Sequence, residues 1–117
     1  MGRIWDTLNA SSDHRNNWYA WVTNQRAHGV LGIEIAVVFV LLGLPFWAAP
    51  LAATLAYWVL IECFAQKLSD WRDALMDTAH VMAGATMVAA IPRDDWTALI
   101  ALAVWLALQI FGVWRRL

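Results

Sequence analysis

Four long apolar stretches alternate with short polar ones along this chain. The first, "GVLGIEIAVVFVLLGL", runs from Gly29 to Leu44 with Glu34 as its only charge. Pro45 and Pro50 in "PFWAAP" then interrupt it, because proline lacks an amide donor and constrains the residue before it. "LAATLAYWVLIECFA" (51–65) follows, and after a polar interval comes "ALMDTAHVMAGATMVAAI" (74–91), stopped by Pro92. The last stretch, "WTALIALAVWLALQIFGVW" (96–114), ends in Arg115 and Arg116. A membrane-spanning helix needs roughly 20 residues. The pattern predicts an all-α integral membrane protein with four transmembrane helices, at 29–46, 50–66, 74–91 and 96–114, behind an N-terminal segment 1–28. The fourth stretch reaches spanning length alone. The second and third reach it only by extending into the polar interval, so a three-span chain with one broken or re-entrant helix is the alternative.

Residues 1–28 predict an interfacial element. Ile4, Trp5 and Leu8 share one helical face, and Trp18, Tyr19, Trp21 and Val22 form a second apolar group. "NASSDHRNN" (9–17) between them is rich in turn and cap residues. An amphipathic helix on the inner leaflet fits this composition, and a loosely ordered cytoplasmic tail is the alternative for 1–12. The segment has no apolar core of the kind a cleavable signal peptide carries, so none is expected.

Basic residues orient the spans. With the N-terminus inside, the inner segments hold Arg3, Arg15, Arg26, Lys67, Arg72, Arg115 and Arg116, and the outer loops hold Arg93 beside Asp94 and Asp95. This bias predicts a multi-pass protein of the bacterial inner membrane with both termini cytoplasmic. Trp18, Trp21, Trp47, Trp71, Trp96 and Trp114 fall near predicted span ends, where an indole anchors at the interface.

Composition strengthens the membrane reading. The chain has 117 residues, of which 62% are hydrophobic and 15% charged; soluble domains run at about 45–50% and about 25%. The net charge of −1 gives no basic footprint for nucleic acid. The single cysteine, Cys63, excludes an intrachain disulfide.

The chemistry collects in "IECFAQKLSDWRDALMDTAHVMAG" (61–84). On a continuous helix Glu62, Asp70, Asp73, Asp77, His80 and Gly84 fall within a sector of about 80° at 100° per residue. A turn between spans would break that phase, but Asp73, Asp77, His80 and Gly84 lie together within one predicted segment. The topology sets His28, Glu62, Asp77 and His80 at similar depth near the cytoplasmic face. Two imidazoles and several carboxylates at one level form a donor set for a divalent metal, or a group that shares a proton. The plainer reading is an acidic, solvated inner loop with span-end histidines. Glu34, about 9 Å beyond His28 at 1.5 Å per residue, is an intramembrane carboxyl, and such groups are rare and usually face a bundle interior or a cavity. Thr54, Gln109 or a neighbouring subunit are its candidate partners. The small residues of "AGATMVAA" (83–90) suit close helix packing.

"NQRAH" (24–28), "IE" (61–62) and "DALMDTAHVMAG" (73–84) resemble the polar elements of small bacterial and phage inner-membrane proteins of the VanZ-like type. In that type D-K-x-x-H opens one span, K-E closes the next, and D-x-x-x-D leads into a glycine-bearing span. The resemblance makes His28, Glu62, Asp73 and Asp77 the matched positions and implies a small cell-envelope protein. Asn24 and Gln25 stand where the pattern has Asp-Lys, and Ile61 where it has Lys. The E-x-x-N-[ST]-A-x-E run of small diacylglycerol kinases is absent, and of the small multidrug transporters only a Glu in the first span is matched, by Glu34.

Three functions compete. The first is a homo-oligomeric or accessory component of a membrane or envelope system, phage-encoded systems included. The second is a lipid head-group or metal-binding enzyme at the inner leaflet, using His28, Glu62, Asp77 and His80. The third is a proton-coupled transporter centred on Glu34. Haem or chlorophyll ligation by His28 and His80 has weaker support. The chain has no nucleophile motif, phosphate-cradling glycine loop or metal signature of recognised spacing.

Overall fold

The computed structural model describes residues 17–65, 71–93 and 95–117. Residues 1–16 of the interfacial segment expected over residues 1–28, together with Gln66, Lys67, Asp70 and Asp94, lie outside them. The described residues are helical, with no strand among them. Helix α1 spans Trp18–Leu41, α2 spans Ala49–Tyr57 and continues as a π-helical segment Trp58–Ala65, α3 spans Trp71–Ala89, and α4 spans Thr97–Trp114. Helix α4 is long and apolar enough to cross a membrane, and the run Ala49–Cys63 is a shorter apolar helix.

Helix α1 begins eleven residues before the apolar run that the sequence marks at Gly29. Asn17 caps it, its Oδ1 accepting from the Ala20 amide at 3.0 Å, which satisfies a first-turn donor. The added turns have a buried face of their own: Trp21, Asn24, Gln25, His28, Gly29 and Gly32. At its end Gly43, with φ 102°, takes the left-handed position that a side chain disfavours. Its amide donates to Val40 O and the Leu44 amide to Phe39 O, both at 3.0 Å; this is the Schellman closure. Pro50 sits in the first turn of α2, where a missing amide costs little.

The helices run up and down in turn. The His28–Tyr57 ring contact and the shared cluster of Ala36, Ala49 and Ala53 make α1 and α2 antiparallel. The pairs Gly29–Trp105 and Trp21–Gly112 do the same for α1 and α4. Helices α1 and α3 run parallel and share the largest interface, with α2 on one flank and α4 on the other. They cross at glycines. A Cβ on Gly32 would collide with the Val81 carbonyl, and one on Gly84 with the Gly29 carbonyl. Small residues here let two backbones touch, as helix pairs in membranes commonly do.

The two ends of the bundle differ. One is apolar, with Ala36, Ala49, Ala53, Ala85 and Val88 buried and Phe39 and Phe46 packed on them. At that end the Arg93 guanidinium and Thr97 hold the exposed Asp95 carboxyl below the usual carboxylate range, and Asp95 accepts from the Thr97 amide at the start of α4 at 2.9 Å. The other end buries polar side chains.

Candidate functional site

Asn24, Gln25, His28, Glu62, Asp77, His80 and Gln109 are buried, each at most 6% exposed. All except Gln109, on α4, come from α1, the π-helical segment and α3. The outside shows the opposite chemistry, with Val30, Val38, Leu41, Leu55, Ile100 and Ile110 among its large exposed side chains. The distribution is inverted relative to a water-soluble domain, which rarely buries charge.

Asp77 is the hub. Its Oδ1 accepts from Gln25 Nε2 at 2.7 Å, and its Oδ2 lies 3.5 Å from His28 Nε2. Asp73, half-buried on the preceding turn, and Glu62 act electrostatically on Asp77. The His28 ring stands edge-on to Tyr57 at 5.7 Å between centroids. The Tyr57 hydroxyl donates to Glu62 Oε1 at 2.6 Å. Glu62 reaches this position because the helix widens. On an α-helix, residues five apart point about 140° away from each other at 100° per residue. The i→i+5 bonding of a π-helix brings them to one side, and such segments frequently mark functional sites.

The two histidines are held alike. His28 Nδ1 lies 2.9 Å from Asn24 O, and His80 Nδ1 lies 2.9 Å from Met76 O. A carbonyl only accepts, so each Nδ1 carries the proton, and in the neutral ring Nε2 presents a lone pair. Among the described residues neither Nε2 has a hydrogen-bond partner, nor do Gln25 Oε1, Asn24 Oδ1 and Nδ2, or Trp105 Nε1. His80 turns toward the α4 side, edge-on to Trp21 at 5.8 Å.

Of the residues singled out in the sequence, His28, Glu62, Asp73 and Asp77 therefore gather at one end, with His80 on the same turn of α3 but facing Trp21. No group of three or more His, Cys, Asp or Glu side chains is arranged to hold a metal ion among the described residues. Glu34 does not join the cluster. It lies on the exposed outer face of α1, and Thr54, one of its expected partners, donates instead to Pro50 O at 2.7 Å. Trp21, expected at an interface, is 1% exposed; it packs on Gly112, with the Arg116 guanidinium 4.3 Å above its ring. Burial there follows from α1 starting at Trp18, which turns Trp21 inward with Gln25 and His28. Trp18, Trp47, Trp71, Trp96 and Trp114 are exposed.

Sequence reasoning missed Gln25 and Tyr57 as members of the site. The spacing Trp21–Gln25–His28–Gly32 is a helical stripe, and it would have found Gln25. Nothing in the sequence marks the π-helical turn that brings Tyr57 to Glu62. No protein-family model, curated protein or solved structure matches the chain.

Proposed function

We propose that this chain is a four-span helical protein of the bacterial cytoplasmic membrane that binds a polar ligand or lipid head group at the inner leaflet, in the site formed by His28, Glu62 and Asp77. The observation that carries this reading is the burial pattern: ionisable side chains buried at one end, and many large apolar ones exposed. In hydrocarbon that distribution is favourable, and ionisable groups turn to the bundle interior. Arg26, Arg72, Arg115 and Arg116 lie toward the same end as the site, as cytoplasmic basic residues do. The VanZ-like resemblance rests on these three positions together with Asp73 and supports a place in the cell envelope.

The lone cysteine tests both embedding and orientation. Cys63 follows Glu62 and is half-buried. The protein should stay in the membrane fraction after alkaline carbonate extraction. A membrane-impermeant maleimide should label Cys63 in inside-out vesicles and leave it unlabelled in intact spheroplasts. Release by carbonate, or labelling from outside, overturns the reading.

A second reading is favoured by Glu34. Exposed beside Val30, Val37 and Val38, its carboxyl would face hydrocarbon in a monomer, at a cost of about 2.5 kcal/mol or more for a charged side chain mid-span. A homo-oligomer or an accessory role in a larger membrane complex would cover it.

A further inference from the structure

Among the described residues, the site around Asp77 is short of donors. Gln25 Nε2 occupies Oδ1, which leaves Gln25 Oε1, on the same amide, as a buried acceptor with no donor. His28 has committed its Nδ1 proton to Asn24 O. With Asp77 ionised, its Oδ2 and the His28 Nε2 lone pair face each other across 3.5 Å, acceptor against acceptor, and a donor between them relieves the pair. The Glu62 and Asp73 carboxyls lie close enough to act on the same place, which disfavours an anion there. Three residues, all buried to within 2%, thus offer acceptors around one carboxylate. A primary ammonium carries three N–H donors and one positive charge, which matches both the count and the sign. A quaternary ammonium brings the charge without the donors.

We propose that the cluster of Gln25, His28 and Asp77 binds a primary ammonium group, delivered by an ethanolamine lipid head group or by a free amine. This rests on the reading of the site as an inner-leaflet binding site. One N–H reaches Asp77 Oδ2, one His28 Nε2 and one Gln25 Oε1, while the Glu62 and Asp73 carboxyls favour the charge through space.

The test uses the full chain, labelled with 15N-histidine, in phosphatidylglycerol nanodiscs at neutral pH. Ethanolamine, choline and zinc chloride are titrated separately, and phosphatidylethanolamine is incorporated in a further arm. The His28 Nε2 resonance should shift saturably with ethanolamine or with phosphatidylethanolamine and should not respond to choline. Response to the lipid alone identifies a head-group site; response to free ethanolamine identifies a soluble amine. D77N should raise the half-saturating concentration at least ten-fold. D73N, at a half-buried position that tolerates change better, should raise it several-fold, and R93Q at the opposite end should leave it unchanged. An equal response to choline, a response to zinc only, or no saturable response overturns the proposal. So does a His28 ring already doubly protonated, or an Asp77 carboxyl already protonated, without amine, because the pair would then supply the missing proton itself. Failure of the chain to enter the bilayer sinks the membrane reading, whereas entry without an amine response sinks the ammonium site alone.

Discussion

Gln25 shows how much a single buried amide does here. It gives Asp77 its one short hydrogen bond, 2.7 Å long, and both residues are shut off from solvent. Leaving a buried acceptor unmet costs about 1–3 kcal/mol. Gln25→Leu should therefore lower stability in detergent by about that amount, read from the thermal unfolding midpoint. Replacing both partners, Gln25→Leu with Asp77→Leu, should recover much of the loss, because a pair of apolar groups leaves nothing unsatisfied. A double variant no more stable than Gln25→Leu would show that the bond contributes little. In the sequence, His28, Glu62, Asp77 and His80 stand out as charged or titratable groups in apolar surroundings, and each is buried. Gln25 passes unnoticed because an uncharged amide beside Arg26 reads as interfacial. Glu34 stands out just as strongly and is exposed, because hydropathy reports that a carboxyl lies in an apolar run but not which way it faces.

At the scale of elements, the parallel pair α1 and α3 is the axis of the fold, and its glycines set the spacing. Gly84→Ala would push a methyl into the Gly29 carbonyl. That contact is backbone and cannot yield as a side chain does. Overpacking of this kind costs about 1–3 kcal/mol. Gly84→Ala should lower the unfolding midpoint and disturb the His28–Asp77 contact one to two turns away, seen as a change in the His28 ring resonances. Gly43→Ala should cost stability through strain at its positive φ instead, with no such change at His28. Existence of the four helices was legible from the apolar runs and from Pro45, Pro50 and Pro92. The start of α1 was not. Trp, Asn, Gln and Arg in 17–26 suit an interface as well as a helix whose polar face is inward, and only the packing against α3 and α4 decides between them.

For the whole molecule, a polar interior at one end beneath a largely apolar exterior is the main fact, and Glu34, exposed within the apolar run of α1, departs from it. If a second copy or another subunit covers that face, Glu34→Arg should disperse the assembly, detected by light scattering in detergent as a fall toward the monomer mass. Glu34→Gln, which keeps hydrogen-bonding capacity, should preserve it. A wild-type chain that is monomeric at all concentrations would remove the oligomer from consideration. The overall charge balance supports none of this by itself. Composition announces an apolar surface, but the pairing of polar groups across α1, α2 and α3 comes from topology.

The widened turn at Trp58–Ala65 has a consequence for how this chain tolerates change in length. A π-helical turn is equivalent to an α-helix that has accommodated surplus residues, and the rest of the helix stays in phase only by virtue of that surplus. Removing one residue, Val59 for instance, should let the ladder relax to ordinary α-helical bonding. The shortened chain should be no less stable than the original, and Glu62, now four residues after Tyr57, would lie about 40° from it at 100° per residue and keep its place in the interior. Relaxation to α-helical bonding at full length would instead turn Glu62 about 140° from Tyr57. A length variant that is sound in its melting curve and still responsive to ligand would show that the widened turn absorbs an extra residue while holding the Tyr57–Glu62 pair together.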